Sequence, residues 1–204
     1  MKNIILYFYS LSKSGGAERR ICQLANELDK KEYRVYLCSL DATEASSYYP
    51  ISERVTWWRL GRKQNSLHDK ISRIFRLYLA LRRHHITIFI GFVMSGDKTI
   101  YIATKLAGVR LIVAERNSPI MYWVRLGALQ RWVLFMSMHF ADKITIQMPE
   151  FISKYPQSLH NRIITIPNPV PQATKSSTPS NPNQEGRFVM LGVSRLDKLQ
   201  KRII

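Results

Sequence analysis

Short apolar runs alternate with segments of helical period as far as residue 166, and that alternation leaves few folds open to this chain. Residues 3–9, Asn-Ile-Ile-Leu-Tyr-Phe-Tyr, are almost continuously apolar, the pattern of a strand buried on both faces. Ile21, Leu24, Ala25 and Leu28 then recur at helical spacing, and Val35, Tyr36, Leu37 and Cys38 form a second apolar run. Strand, helix and strand together make a βαβ unit of about 30 residues. The same reading predicts strands over 55–60, 86–92, 111–114, 143–147 and 163–166. Helices are predicted over 71–81 and 99–106, with one long helix over 121–140. Alternation of this kind implies an α/β fold, a Rossmann-like and mainly parallel sheet with helices on both faces.

The composition shifts at Pro167-Asn168-Pro169-Val170-Pro171, which opens a stretch rich in Ser, Thr, Asn and Pro that runs to Gly186. Proline fixes φ and removes a donor, so this stretch reads as a linker. Residues 187–193 look like a fresh strand. One strand and a loop bury no core, so 187–204 is either an extra strand of the first domain or the stump of a second, and the long linker favours the stump. The expected organisation is a Rossmann-like domain over 1–168, a linker over 169–186 and the beginning of another domain over 187–204.

Charge limits the partners. There are 31 Lys and Arg against 14 Asp and Glu, a formal net charge of +17. Such an excess asks for an anionic partner: nucleic acid, an anionic membrane face or a phosphorylated ligand. The two cysteines, Cys22 and Cys38, sit in apolar periodic segments and read as buried free thiols, with neither disulfide framework nor zinc spacing. That usage fits a reducing, cytoplasmic compartment. The start of the chain lacks the pattern of a secretory signal. No apolar run approaches the roughly 20 residues needed to span a bilayer.

The most informative turn is Ser14-Gly15-Gly16-Ala17-Glu18-Arg19, directly between the first strand and the first helix. Ligands of open α/β sheets bind at the carboxyl ends of strands, where such turns lie. Glycines admit close backbone approach, and the unpaired N–H groups of a first helical turn attract anions. Gly15 fits the N-cap position, with Glu18 in the first turn. Neither the Gly-x-Gly-x-x-Gly dinucleotide fingerprint nor a Gly-Lys-Ser/Thr phosphate loop is present.

Gly-Gly-Ala-Glu-Arg followed by its striped helix resembles the opening of glycosyltransferase family 4, whose members have the two-domain GT-B fold. Three later segments agree in order and spacing: Val113-Ala114-Glu115-Arg116-Asn117-Ser118, Ile166-Pro167-Asn168-Pro169-Val170, and Leu191-Gly192-Val193-Ser194-Arg195-Leu196. The resemblance covers the whole chain and about half of the expected family length. It implies an N-terminal, acceptor-side domain, and a sugar donor held mostly by a C-terminal domain that barely begins here. By the same resemblance Gly15 and Gly16 approach the donor diphosphate through backbone N–H groups. Arg195 and Lys201 are the nearest match to the cationic pair that neutralises the leaving diphosphate, with no metal and no cofactor beyond the nucleotide-sugar substrate. The family places Lys five residues after Arg195 and then Gly, whereas this chain has Gln200, Lys201 and Arg202. The Glu-x7-Glu segment that holds donor sugar and ribose is absent, so the 204 residues alone are expected not to transfer sugar.

Other residues keep two readings. Asp97, after the fourth strand, either touches the acceptor hydroxyl as a catalytic group or caps the next helix. Glu115 and Arg116 end a strand as an acceptor-facing pair or as a structural ion pair. Asn117, with Ser118, either binds acceptor hydroxyls or caps a helix. Glu18 is a further acceptor-side candidate.

Two stretches concentrate positive charge near apolar residues. Residues 62–83 hold Arg62, Lys63, Lys70, Arg73, Arg76, Arg82 and Arg83 against Asp69 alone, and residues 121–135 interleave Arg125 and Arg131 with Trp123, Leu126, Trp132 and Phe135. Both patterns suit the headgroup region of an anionic bilayer, although the aromatic positions also fit an ordinary core. The expected function is sugar transfer from a nucleotide sugar to a lipid-linked glycan in cell-envelope polysaccharide synthesis, peripheral at the inner membrane face. The alternatives are a non-catalytic remnant and a basic nucleic-acid-binding module. No recognised nucleic-acid motif supports the latter.

Overall fold

The computed structural model describes residues 2–61, 66–92 and 97–169. Among these residues seven strands form one sheet: β1 (Asn3–Tyr7), β2 (Arg34–Ser39), β3 (Thr56–Arg59), β4 (Ile86–Phe92), β5 (Arg110–Ala114), β6 (Lys143–Ile146) and β7 (Ile163–Thr165). Their order is β3-β2-β1-β4-β5-β6-β7, and every neighbouring pair is parallel. The chain runs from β1 outward to β3, then returns to the other side of β1 as β4. That reversal opens a crevice at the carboxyl ends of β1 and β4, the usual ligand position in open parallel sheets.

Met1–Pro167 form one compact unit and Asn168–Ile204 a second. Of the second unit only Asn168 and Pro169 are described. The rest of the expected linker and the strand over 187–193, with Arg195 and Lys201, lie outside the described residues.

Alternate side chains of the strands feed two cores. Ile4 and Leu6 of β1, with Val35 and Leu37 of β2, pack against Ile21, Cys22 and Ala25 of helix α1 (Gly16–Lys30). Ile5, Tyr7, Phe89, Leu111 and Val113 point the other way. There they meet Leu77 and Leu81 of α2 (Leu67–Arg83), Ile100 and Tyr101 of α3 (Lys98–Ala107), Tyr122 of α4 (Ile120–Arg125), and Leu134 and Phe135 of α5 (Ala128–Met138). The sheet is thus covered on both faces, by α1 on one and by α2–α5 on the other. The 3-10 helices Pro149–Lys154 and Gln157–Arg162 close the α5 side through Tyr155 and Leu159. Cys22 and Cys38 are buried free thiols, one in each core.

Two helices differ from the sequence reading. α2 starts at Leu67, ahead of the predicted 71, because Ser66 caps it: its Oγ accepts from the Asp69 amide at 3.1 Å. The single helix predicted over 121–140 is broken into α4 and α5. Leu126 (φ −111°, ψ 134°) and Gly127 (φ −63°, ψ 163°) are extended, and Gln130 Oε1 reaches back to accept from the Gly127 amide at 3.4 Å. Glycine is a poor helix residue, and a side-chain acceptor three positions on favours a fresh start there. The apolar period runs through the break unchanged, which is why it was invisible to a periodicity argument.

Candidate active site at the β1–β4 crevice

The turn after β1 is held from below by a carboxylate. Asp41, just past β2, is buried; it accepts from the Leu11 amide at 2.7 Å and from the hydroxyls of Ser10 (2.6 Å), Ser39 (2.8 Å) and Ser12 (2.9 Å). Burial alone would raise its pKa, but these hydrogen bonds outweigh it and hold the carboxyl below its usual range. Asp41 therefore anchors the segment that delivers the chain to Gly15. The sequence reading passed over it. The signal available was a Ser-x-Ser pair beside a lone acid at the next strand end.

Gly15 is the N-cap of α1 and Glu18 lies in its first turn, as the sequence suggested. No side chain caps this end, so the first-turn N–H groups have no intrahelical partner. Gly15 is extended (φ −172°), a conformation open to any residue, so backbone geometry does not demand glycine there. A methyl group at Gly15 would meet the carboxylate of Glu18, which folds back over the turn; at Gly16 it would meet nothing within 4 Å. Glycine supplies access at this position, and Glu18 lies where an external anion would approach the helix end.

Arg116 enters from the end of β5. Its guanidinium lies 4.8 Å from the centre of the Phe92 ring, at the end of β4. Its pKa is lowered, first by burial and then by the positive charge of Arg20 on α1. Two guanidinium groups thus sit within electrostatic range of one another on the carboxyl side of the sheet. Asn117 beside it is exposed and makes no side-chain hydrogen bond among the described residues.

Asp97 takes the capping one of its two readings, and Glu115 is enclosed. Asp97 Oδ1 accepts from the Thr99 amide (3.1 Å) and hydroxyl (2.5 Å), while Oδ2 accepts from Arg73 (3.0 Å) and Tyr7 Oη (3.4 Å). A carboxylate has about four lone-pair positions, and all four are used. Asp97 is therefore a helix cap and ion-pair partner that ties β1, α2 and α3 together. Glu115 is 2% exposed and turns under α4, where it accepts from the Tyr122 hydroxyl. It makes neither an ion pair with Arg116 nor an open contact for an acceptor. Burial lifts its pKa to about 7, against the opposing pull of the Tyr122 hydrogen bond. Ser118 contributes its carbonyl to the start of α4, at 3.0 Å from the Met121 amide, and its side chain does not cap the helix.

The outward face of α2–α5 is the other unusual feature. It exposes Leu67, Ile71, Phe75 and Leu79 on α2, Ile102 and Leu106 on α3, Ile120, Trp123 and Val124 on α4, and Leu129, Trp132 and Met136 on α5. Among these helices only α2 carries an acid, Asp69, while Lys70, Arg76, Arg83, Lys98, Lys105 and Arg125 are exposed. α1 presents Arg19, Gln23, Glu27 and Lys30, an ordinary mixed surface. Of the four aromatic or aliphatic positions left open by the sequence, Trp123 and Trp132 are on the surface, Leu126 is half-buried against the core and Phe135 is core. No helix among the described residues is long and apolar enough to cross a membrane.

A parallel sheet in this order, with a glycine turn delivering a helix N-terminus to its carboxyl edge, is a Rossmann-like arrangement of the kind that makes up each half of the GT-B class. The chain belongs to glycosyltransferase family 4: the sequence model of that family matches residues 14–173. Solved structures agree on the fold. HepE from Anabaena, in complex with UDP and glucose, aligns at TM-score 0.61 and 11% identity over 91% of this chain and 49% of that one. MurG from Acinetobacter baumannii aligns at 0.58 and 14% over 86% and 48%. The lipopolysaccharide outer core galactosyltransferase WaaB aligns at 0.60 and 11% over 85% and 47%. The chain spans about half the length of each. No curated protein matches the sequence.

Proposed function

We propose that this chain is the acceptor-side half of a glycosyltransferase that moves a sugar from a nucleotide-diphosphate donor to a lipid-linked saccharide. The reaction takes place at the inner face of an anionic membrane, in envelope polysaccharide synthesis. Family membership and the open glycine turn support the donor. HepE from Anabaena, which is similar to this chain in fold, was solved in complex with UDP. The observation that carries the acceptor and the location is the outward face of α2–α5, apolar and basic with almost no acid.

In the reaction, the bond between the sugar's anomeric carbon and the donor diphosphate breaks, and a bond to an acceptor hydroxyl oxygen forms. The hydroxyl proton leaves with the departing diphosphate or to solvent. The first-turn amides at Gly15 and Gly16 meet the charge that develops on the leaving group, in a position fixed in advance by Asp41. Arg116 and Arg20 add positive potential at the same edge, and by the family resemblance Arg195 and Lys201 are assigned to the leaving diphosphate. Glu18 gives way to the arriving diphosphate, and Glu18 and Asn117 are assigned to acceptor hydroxyls. Asp97 and Glu115 act as positioning residues. No metal or other cofactor is assigned a step.

The test is transfer of label from a panel of nucleotide sugars into organic-extractable material, using the intact gene product and membranes of its own cell. Label in the lipid fraction, reduced at least tenfold by Gly16→Val, is expected. Binding to oligonucleotides with a steep salt dependence, with no transfer and no membrane retention, would instead favour a nucleic-acid module.

A further inference from the structure

We infer that a pocket between α4, α5 and the 3-10 helix Pro149–Lys154 binds the phosphate head and first apolar units of a lipid phosphate. The pocket has a volume of about 510 Å³, within the range of about 300–1,000 Å³ usual for small-molecule sites. It exists because α4 and α5 are separate helices: the bend at Leu126–Gly127 brings Trp123 back over α5, with its ring 4.0 Å from the Arg131 guanidinium. Phe135 and Tyr155 meet edge to face behind it, their ring centres 6.0 Å apart.

The lining has two kinds of chemistry. Trp123, Phe135, Tyr155 and Ile120 are apolar walls, whereas Arg131 and Lys154 are cations. No acid lines the pocket, and neither cation has an ion-pair partner among the described residues. Arg131 is held in place by the Trp123 ring and by the Leu126 carbonyl oxygen, to which it donates at 3.4 Å. Stacking fixes the plane of the guanidinium and leaves its edge for a planar, bidentate acceptor, and Lys154 adds a mobile point charge. Two cations on apolar walls are complementary to an anion that carries a hydrocarbon chain. A free inorganic anion would waste the walls, and a neutral lipid would waste the charges.

Position narrows the occupant. α4 follows the carboxyl end of β5 and the 3-10 helix follows that of β6, so two of the pocket's walls leave the sheet at the edge that carries Gly15 and Gly16. It also adjoins the exposed Trp132 and Val124 of the apolar helix layer. A lipid phosphate seated there has its chain on the layer proposed to meet the bilayer and its head toward the reacting edge. The choice of the lipid-linked acceptor as occupant rests on the transferase function proposed above.

Farnesyl diphosphate, a soluble isoprenoid diphosphate, serves as the probe, with binding read by tryptophan fluorescence and calorimetry. Pyrophosphate and short-chain phosphatidylglycerol are the comparators. Farnesyl diphosphate is expected to bind at least tenfold more tightly than either, and Lys154→Gln and Arg131→Gln are each expected to weaken it at least fivefold. Lys154 is exposed, so its variant keeps the fold, checked by an unchanged thermal melt. Equal affinity for pyrophosphate, equal affinity for phosphatidylglycerol, or indifference to Lys154→Gln would each overturn the assignment. Failure here is distinguishable from failure of the transferase function. A protein that transfers sugar but ignores the probe loses only this pocket, while one that binds the probe and transfers nothing loses the activity.

Discussion

The guanidinium of Arg73 on α2 lies 3.0 Å from the carboxylate of Asp97, the residue that caps α3, and both side chains are about 15% exposed or less. One largely enclosed pair therefore joins two helices and, through the Tyr7 hydroxyl, the central strand. Removing one partner strands the other charge and uncaps a helix. Asp97→Ala is expected to lower stability by about 3 kcal/mol or more in urea unfolding. Asp97→Asn, which keeps an acceptor for the Thr99 amide, is expected to lose less. A change within 0.5 kcal/mol for Asp97→Ala would remove the positioning role.

Glu115 makes stability depend on pH. Its carboxyl is neutral in the folded protein up to about pH 7, well above its ordinary value of 4.5. A raised folded pKa contributes stability that is complete below the unfolded value and is lost as pH rises through the folded one. The wild-type melting temperature is therefore expected to fall, relative to Glu115→Gln, between about pH 4.5 and 7 and to level off above that window. Parallel curves for the two proteins across that range would contradict the burial of an ionisable carboxyl there.

Gly16 separates stability from function. A methyl group there meets open space, and alanine is a better helix residue than glycine by up to about 1 kcal/mol. Gly16→Ala is expected to melt at the same temperature or slightly higher and yet, assayed with a donor-binding half supplied, to transfer sugar several-fold more slowly, because the methyl group occupies the approach to the first-turn amides. A variant with unimpaired turnover would show that nothing binds at that turn.

Much of this was legible in the sequence because strand burial and helix period are local signals. The seven strands, the cap at Gly15 and the buried thiols all follow from runs and spacings in Ile, Leu, Val and Gly. The break at Leu126–Gly127 was not legible, since Trp123, Leu126, Leu134 and Phe135 keep one apolar period across it. Nor could spacing distinguish Trp132, which is exposed, from Phe135, which is buried, when both are large, aromatic and three positions apart. Asp97 and Glu115 look alike as acids at strand ends. Their roles depend on Arg73 and Tyr122, partners contributed by other elements.

Trp132 tests the membrane face without touching the core. It is 61% exposed, so Trp132→Ser is expected to leave stability within about 0.5 kcal/mol. Sedimentation with vesicles containing phosphatidylglycerol is expected to drop several-fold in this variant and to weaken in high salt for the wild type. Equal binding to neutral phosphatidylcholine vesicles, or none to either kind, would contradict the assignment of this face.

The most direct measurement is mass spectrometry of the lipid-linked glycans from cells with and without the gene. Loss of the protein is expected to accumulate a lipid-linked saccharide one sugar shorter than the wild-type product, reversed by the wild-type gene and not by Gly16→Val. An unchanged lipid-linked glycan profile in the deletion strain would contradict a transferase acting on a lipid-linked acceptor.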